Sequence, residues 1–274
     1  MRRALPGAVR LAGVDFTCAP SRRKPITVAT GWCEGDIVHV KGVVELATLG
    51  AFDDWLRTPG PWLAAFDFPF GLPREFVDSQ ALGVTCDEVA AAVHARCADR
   101  MAWRALIDAW GQGRAAGTRL LHRRTDAATG VVSTSPLQTR YVPVGLMYFE
   151  GVRRLVAADL TLPGLRRGDP DRVALEAYPR RLAHALLGRR SYKNTDAPER
   201  RDARGEMLAA LEGRIDASGL TVRLDGATRQ AILADPLGDR LDAVLCLVQA
   251  AVAQRAEGYG IPGDADPVEG WIAG

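Results

Sequence analysis

The feature that most constrains this chain is a short apolar run that ends on a carboxylate. Residues 62–66 (Trp-Leu-Ala-Ala-Phe) are continuously apolar, which predicts a strand buried on both faces of a sheet. Asp67 follows directly, and Pro69 then stops the strand and forces a turn. A buried carboxylate is unfavourable unless it is neutralised, hydrogen-bonded or bound to a cation. Asp67 is therefore either a cap of the following turn or part of a functional site.

A second apolar run ends in the same way. Residues 11–14 (Leu-Ala-Gly-Val) lead into Asp15, and a phenylalanine follows each of the two aspartates. Functional groups of parallel sheets gather at the carboxyl ends of the strands. We therefore expect Asp15 and Asp67 to share a site at one edge of a sheet.

The remaining pattern predicts a mixed α/β fold with five strands. Runs rich in β-branched residues predict strands, and apolar residues at helical spacing predict helices. The first three strands should form an antiparallel meander, and Thr48 should cap the first helix. The predicted strands cover residues 10–17, 26–32, 36–45, 62–67 and 172–179, and the predicted helices cover residues 48–57, 73–111, 141–160, 180–187, 198–214 and 239–253.

Two acidic residues open the last predicted helix. From Leu241 onward this helix is apolar on nearly every face, so it should be buried between other elements. Asp239 and Asp242 lie three residues apart and share one face of its first turn. They could form a capping arrangement with Asp239 as N-cap. Alternatively they belong to a site, because two acids at the entry of a buried helix repel each other unless a positive group lies between them.

Basic residues gather in segments close to these acids. The turn 19–25 carries Arg22 and Arg23 beside the first strand, and segment 111–140 is rich in Arg, Gly and Thr. Both suit contact with phosphates, and both are equally consistent with a solvated surface. A segment as long as 111–140 without predicted helices or strands is either functional or mobile.

Composition narrows the class of protein. The 274 residues carry a net charge of +2, which neither demands nor excludes a nucleic-acid partner. The five cysteines are widely spaced and form no C-x-x-C pair, so neither a zinc site nor a disulfide framework is predicted, and a reducing cytoplasm fits. Residues 1–10 lack the apolar core of a signal peptide, and no run approaches the roughly 18 apolar residues of a membrane span. We expect a soluble cytoplasmic protein that does not contact a membrane.

Five short motifs occur in an order that resembles a known family. They are Gly-Val-Asp-Phe-Thr (13–17), Phe-Asp-Phe-Pro-Phe-Gly-Leu-Pro (66–73), Leu-Glu-Ala-Tyr-Pro (175–179), Ser-Tyr-Lys-Asn (191–194) and Asp-Arg-Leu-Asp-Ala (239–243). Their order resembles an uncharacterised bacterial and archaeal family of predicted nucleases with the ribonuclease H-like fold, which ribonucleases H, Holliday-junction resolvases and integrases share. The resemblance implies one domain over residues 1–274, with a mixed five-stranded sheet flanked by helices and a helical insertion at about 73–165.

The resemblance also implies a chemistry. A metal-dependent nuclease or phosphoesterase of this kind hydrolyses phosphodiester bonds with two metal ions. Asp15 would bridge both ions, Asp67 and Asp242 would each bind one, and Asp239 or Glu176 would complete the ligand set. Oxygen ligands without a nearby His or Cys favour Mg²⁺ or Mn²⁺.

The substrate would be nucleic acid or a smaller phosphoester. Lys193, together with Arg22, Arg23 or Arg124, would hold its phosphate. Ribonuclease H proper has a Glu on its first helix, whereas the corresponding helix here offers Asp53 and Asp54 with no clear match. The arrangement is therefore nearer to the resolvase pattern.

Two other functions share the same core. Sugar kinases and actin-like ATPases also open with Gly-x-Asp, but they follow it with a Gly/Thr-rich phosphate hairpin. Residues 16–23 (Phe-Thr-Cys-Ala-Pro-Ser-Arg-Arg) contain no glycine, which disfavours a phosphotransferase. The remaining alternative is a non-catalytic binding protein that retains the acidic residues.

Overall fold

The computed structural model describes residues 9–273, apart from residues 116, 129, 214, 216 and 217. Two predictions concern residues outside this set. They are the lack of a signal peptide in residues 1–10, of which 1–8 are not described, and the end of a helix at residue 214. The strands are β1 (Arg10–Asp15), β2 (Ile26–Glu34), β3 (Ile37–Leu46), β4 (Trp62–Phe66), β5 (Leu160–Thr161), β6 (Asp169–Glu176) and β7 (Thr221–Arg223). The helices are α1 (Leu49–Leu56), α2 (Arg74–Ser79), α3 (Cys86–Arg96), α4 (Arg100–Gly111), α5 (Arg124–Ala128), α6 (Val144–Ala157), α7 (Pro179–Leu187), α8 (Pro198–Glu212), α9 (Gly226–Leu233) and α10 (Asp239–Arg255).

The strands form one mixed sheet in the order β5-β6-β4-β1-β2-β3-β7. β1, β2 and β3 pair antiparallel, as the predicted meander requires, and the other neighbours pair parallel. The five predicted strands are present, and two more extend the sheet at its edges. These edge strands, β5 and β7, have only two and three residues, which is too short for an alternating pattern to identify them.

Side-chain alternation along the central strands divides the molecule into layers. Ala12 and Val14 face a core formed with α1, α2, α3, α4 and α6. Leu11 faces the opposite core, formed with α7, α8, α9 and α10. The protein is therefore a mixed α/β fold in which helices cover both faces of a seven-stranded sheet.

Between β4 and β5 the chain is mainly helical. Residues 73–111, predicted to be helical, contain three separate helices, α2, α3 and α4. Thr85 opens α3 with a capping box that includes Glu88, and the carboxylate of Asp99 caps α4. The predicted cap of α1 is confirmed, since the Thr48 hydroxyl accepts a hydrogen bond from the backbone N–H of Ala51.

α10 is the most buried helix of the second layer, as its uniformly apolar sequence predicts. It lies directly on β1 at Gly13, where an added Cβ would overlap the backbone of Leu247 and Ala243. Glycine at this position therefore sets the distance between α10 and the sheet. None of the described helices is long and apolar enough to cross a membrane.

Candidate metal centre

Three aspartates from three different elements meet at one edge of the sheet. Val14 of β1 lies opposite Phe66 of β4 in parallel register, so the next residues, Asp15 and Asp67, are neighbours. The N–H of Asp67 donates to the carbonyl of Val14 at 2.9 Å and extends this ladder by one residue. Asp242 joins them from the first turn of α10. One carboxylate oxygen of each aspartate lies within 4.8 Å of the corresponding oxygen of the other two.

Alternation explains why these three side chains converge. Asp15 has the same parity as Leu11, whose side chain faces the α10 layer. Asp67 has the same parity as Leu63 and Ala65, which face that layer as well. The close approach of α10 to β1 at Gly13 then brings Asp242 to both of them.

The electrostatics of this group are unfavourable without a cation. Burial raises the pKa of Asp15 well above its ordinary value, and the charges of Asp242, Asp239 and Asp67 raise it further. Burial, followed by the charge of Asp242, raises the pKa of Asp67 to about 7. Mutual repulsion of this kind is expected where several carboxylates share a site.

Asp242 is the member of the group that has partners. It is fully buried, and it accepts hydrogen bonds from the hydroxyl of Tyr192 on one oxygen and from the ammonium of Lys193 on the other. Burial alone would lower the pKa of Lys193, but the charge and hydrogen bond of Asp242 raise it. Lys193 is thus at the site, bound to a carboxylate. Tyr192 carries no predicted role, although it belongs to the Ser-Tyr-Lys-Asn motif.

Asp239 lies beside the group rather than within it. It is the first residue of α10, and the alternative in which it is the N-cap is wrong, because Gly238 occupies the cap with a left-handed φ of 80°. Its Oδ2 is buried and has no hydrogen-bond partner among the described residues. Burial is the main cause that raises the pKa of Asp239, and the positive charge of Lys24 opposes this increase. Asp239 is therefore close enough to influence the other acids, with one oxygen unused.

Glu176 does not join the aspartates. It lies opposite Phe66 in the β4–β6 register, on the sheet face that Asp67 does not share. Its two oxygens accept from the guanidinium of Arg123 at 2.6 and 2.8 Å, and Oε2 also accepts from the N–H of Phe70 at 2.8 Å. Both oxygens of Glu176 are thus engaged, and its place in the ligand set stays a prediction. A one-residue change of parity moves a side chain to the other face of a sheet.

Arg123 is the residue of this region that the sequence did not reveal. Its side chain is 2% exposed, and it also pairs with the buried carboxylate of Asp126 at 2.8 Å. Asp126 in turn accepts from the hydroxyl of Ser133 at 2.6 Å. In the sequence Arg123 is one of several arginines in segment 111–140, and nothing there distinguishes a buried arginine from an exposed one.

The other predicted phosphate ligands lie apart from the triad. Arg22 and Arg23 are exposed and line a small cleft of about 210 Å³ together with Asp239. Arg124 pairs with Asp264 at 2.7 Å and lies over the ring of Trp271, next to the C-terminal segment. Arg22 and Arg23 thus neighbour the acidic residues through Asp239, whereas Arg124 is occupied elsewhere.

A larger cleft of about 850 Å³ opens onto Asp67. Its lining comes from segment 130–134, from α6, from the junction of β6 and α7, and from residues 188–194. Tyr178 links two of these segments, since its hydroxyl donates to the carbonyl of Val132 at 3.4 Å. The carboxylate of Asp67 is therefore accessible through this cleft.

The chemistry of the three aspartates fits a hard divalent cation. Carboxylate oxygens are the ligands that Mg²⁺ and Mn²⁺ prefer. Cys246 lies one turn further along α10, and burial raises the pKa of its thiol well above the ordinary value, so it stays protonated and is a poor ligand. The buried triad of Asp15, Asp67 and Asp242 could therefore hold a metal ion through oxygen alone.

Comparison with known proteins gives one match. A family model described as "Protein of unknown function (DUF429)" matches residues 13–267. This span contains all four candidate aspartates and all five sequence motifs. No curated protein and no solved structure matches the chain.

Proposed function

Because the chain belongs to this family of proteins of unknown function, we propose from its site that it is a metal-dependent hydrolase of phosphodiester bonds, acting on nucleic acid. The observation that carries the proposal is the convergence of Asp15, Asp67 and Asp242 on one point at the edge of the sheet. A divalent cation bound there would polarise a phosphate oxygen and lower the pKa of a bound water.

The repulsion within the triad supports the proposal. Structural carboxylates are normally paired, and the pKa of a paired carboxylate falls. The pKa values of Asp15 and Asp67 are raised instead, with burial as the main cause. A group that is unfavourable in the free protein and relieved by a cation is typical of a functional site.

The arrangement of strands supports the proposal in a second way. Three antiparallel strands lead the sheet, and β4 and β6 continue it in parallel on the other side of β1. We propose that this is a ribonuclease H-like core, extended by β5 and β7. The sequence motifs with their strand-terminal and helix-borne aspartates would then occupy corresponding positions of that core.

We propose Mg²⁺ or Mn²⁺ as the cofactor, with two ions as the working stoichiometry. Asp15, Asp67 and Asp242 would be ligands, and Asp239, with its unpartnered oxygen, would contribute to the second ion. Lys193 would keep Asp242 in place and present a positive charge to the substrate phosphate. Glu176 is left out, because Arg123 and Phe70 already engage its oxygens.

The test is cleavage by the purified protein. Labelled single-stranded and duplex oligonucleotides are incubated with Mn²⁺ or Mg²⁺, and the products are resolved on a denaturing gel. We expect cleavage that Asp67→Asn abolishes and that Asp54→Asn, a change at an exposed residue of α1, leaves intact. Absence of cleavage of both substrates, or hydrolysis of ATP instead, would contradict the proposal.

A further inference from the structure

We infer that the large cleft beside the acidic triad binds a single-stranded segment of nucleic acid, and not a duplex. The inference rests on the proposed function and adds the class of substrate to it. Three properties of the cleft carry it, namely the unpaired arginines of its lining, the exposed apolar side chains of its lining, and its size.

One part of the lining is basic. Arg180 at the start of α7 and Arg189 just after its end are exposed and line the cleft. Within the described residues neither forms an ion pair, unlike Arg190, which is held by Glu206. Lys193 also lines the cleft and binds Asp242 of the acidic triad. Cations that line a cleft beside the proposed metal ions suit a phosphate backbone running toward the reacting bond.

Another part of the lining is apolar. Val132 and Val142 are 63% and 55% exposed, and Met147, which is half-buried, also lines the cleft. Tyr178 adds an aromatic side chain to the lining, and its hydroxyl donates to the carbonyl of Val132. Apolar and aromatic surfaces beside a cationic groove are what unpaired bases contact in proteins that bind single strands. Paired bases in a duplex would not offer their faces to these side chains.

The size of the cleft and the remaining charges disfavour a duplex. About 850 Å³ lies in the range of clefts that enclose small ligands, and Asp67 forms part of its lining. A duplex is bound through several phosphate contacts along an extended basic surface. In segment 111–140 three arginines are paired with acids: Arg114 with Glu75, Arg124 with Asp264 and Arg140 with Asp108. Arg119, which is exposed, donates to the backbone carbonyl of Arg114.

The test is binding in Ca²⁺, measured by fluorescence anisotropy. The probes are a 5′-labelled 12-residue oligonucleotide and the same strand annealed to its complement. We expect the single strand to bind at least tenfold more tightly. Arg180→Ala should weaken single-strand binding about three- to tenfold and reduce its salt dependence by about one ion. Val142→Ser should weaken it without changing the salt dependence. Arg201→Ala, at an exposed residue of α8 that does not line the cleft, should bind like the wild type.

Three binding results would overturn the inference: equal or tighter binding of the duplex, no effect of Arg180→Ala, or displacement of the strand by a mononucleotide at equal affinity. The last result would mean that the cleft takes free nucleotides. Failure of the proposed function gives a different pattern. Preferential binding of the single strand without cleavage in Mn²⁺ would refute the proposed hydrolysis but not this inference. Cleavage of duplex alone would support the hydrolysis and refute this inference.

Discussion

Asp67→Asn should stabilise the metal-free protein at alkaline pH. Burial and the charge of Asp242 raise the pKa of Asp67 from 3.8 to about 7. The pKa of Asp67 is higher in the folded protein than in the unfolded chain, so at pH values between these two pKa values the folded protein binds more protons than the unfolded chain. The free energy of unfolding therefore falls as the pH rises through this window. The destabilisation caused by ionising Asp67 is therefore absent below about pH 4 and complete above about pH 7.

The magnitude follows from the width of this window. About three pH units at roughly 1.4 kcal/mol each correspond to about 4 kcal/mol. Because part of this increase comes from the charges of neighbouring carboxylates, above all Asp242, we assign about 2–4 kcal/mol to Asp67. Asparagine is neutral at every pH, so the variant should equal the wild type near pH 4 and exceed it by that amount near pH 8.

The assay is urea unfolding in EDTA between pH 4 and pH 8, followed by tryptophan fluorescence. Asp266→Asn is the control with the opposite sign. Burial opposes ionisation of Asp266, but hydrogen bonds from Arg74 and from the N–H groups of Val268 and Glu269 lower its pKa. Its ionised form therefore stabilises the fold, and its removal should lower stability at pH 8. If Asp67→Asn were no more stable than the wild type at pH 8, Asp67 would be a structural cap and the reasoning would be refuted.

Three further substitutions test the surroundings of the site. Lys193→Met should lower the free energy of unfolding of the metal-free protein by about 1–3 kcal/mol, because it leaves the buried charge of Asp242 without its cation. An unchanged midpoint of urea unfolding would show that this pair is not formed. Arg123→Met should lower the free energy of unfolding by about 3–5 kcal/mol, because Glu176 and Asp126 would remain buried and unpaired. This decrease should be smaller at pH 5 than at pH 8. A decrease below about 1 kcal/mol would contradict the buried network. Gly13→Ala should destabilise the protein and weaken Mn²⁺ binding in calorimetry, because the new methyl group would overlap the backbone of α10. Stability and Mn²⁺ affinity equal to those of the wild type would show that α10 does not lie on β1.

The pairing of the first two aspartates could be predicted from the sequence. Each follows a short apolar strand, and parallel strands end at a common edge, so the sequence alone is enough to expect Asp15 and Asp67 side by side. The helical pattern with its two acids likewise indicated a buried α10. These are local features that the periodicity of a single segment encodes.

What could not be predicted depends on distances between segments. The contact of Asp242 with the strands requires Gly13, whose role is evident only when the backbone of α10 lies against it. The place of Glu176 depends on its parity in the register between β4 and β6, which no residue of either strand specifies alone. The edge strands β5 and β7 are too short for any period to be visible.

The partners of the arginines were equally hidden. Arg123 is enclosed by Asp126 and Glu176, which lie 3 and 53 residues away in the sequence. Arg124, the next residue, is exposed and pairs with Asp264. Two adjacent arginines therefore have unrelated roles, and the charge pattern of the segment contains no signal that separates them.

The central claim is that the aspartate triad binds a divalent cation, and anomalous scattering from a crystal in millimolar Mn²⁺ tests it most directly. We expect an anomalous peak within coordination distance of Asp15, Asp67 and Asp242, which disappears in Asp15→Asn while the rest of the structure is unchanged. A fully ordered triad with no peak under these conditions, or a peak of the same height in Asp15→Asn, would contradict it.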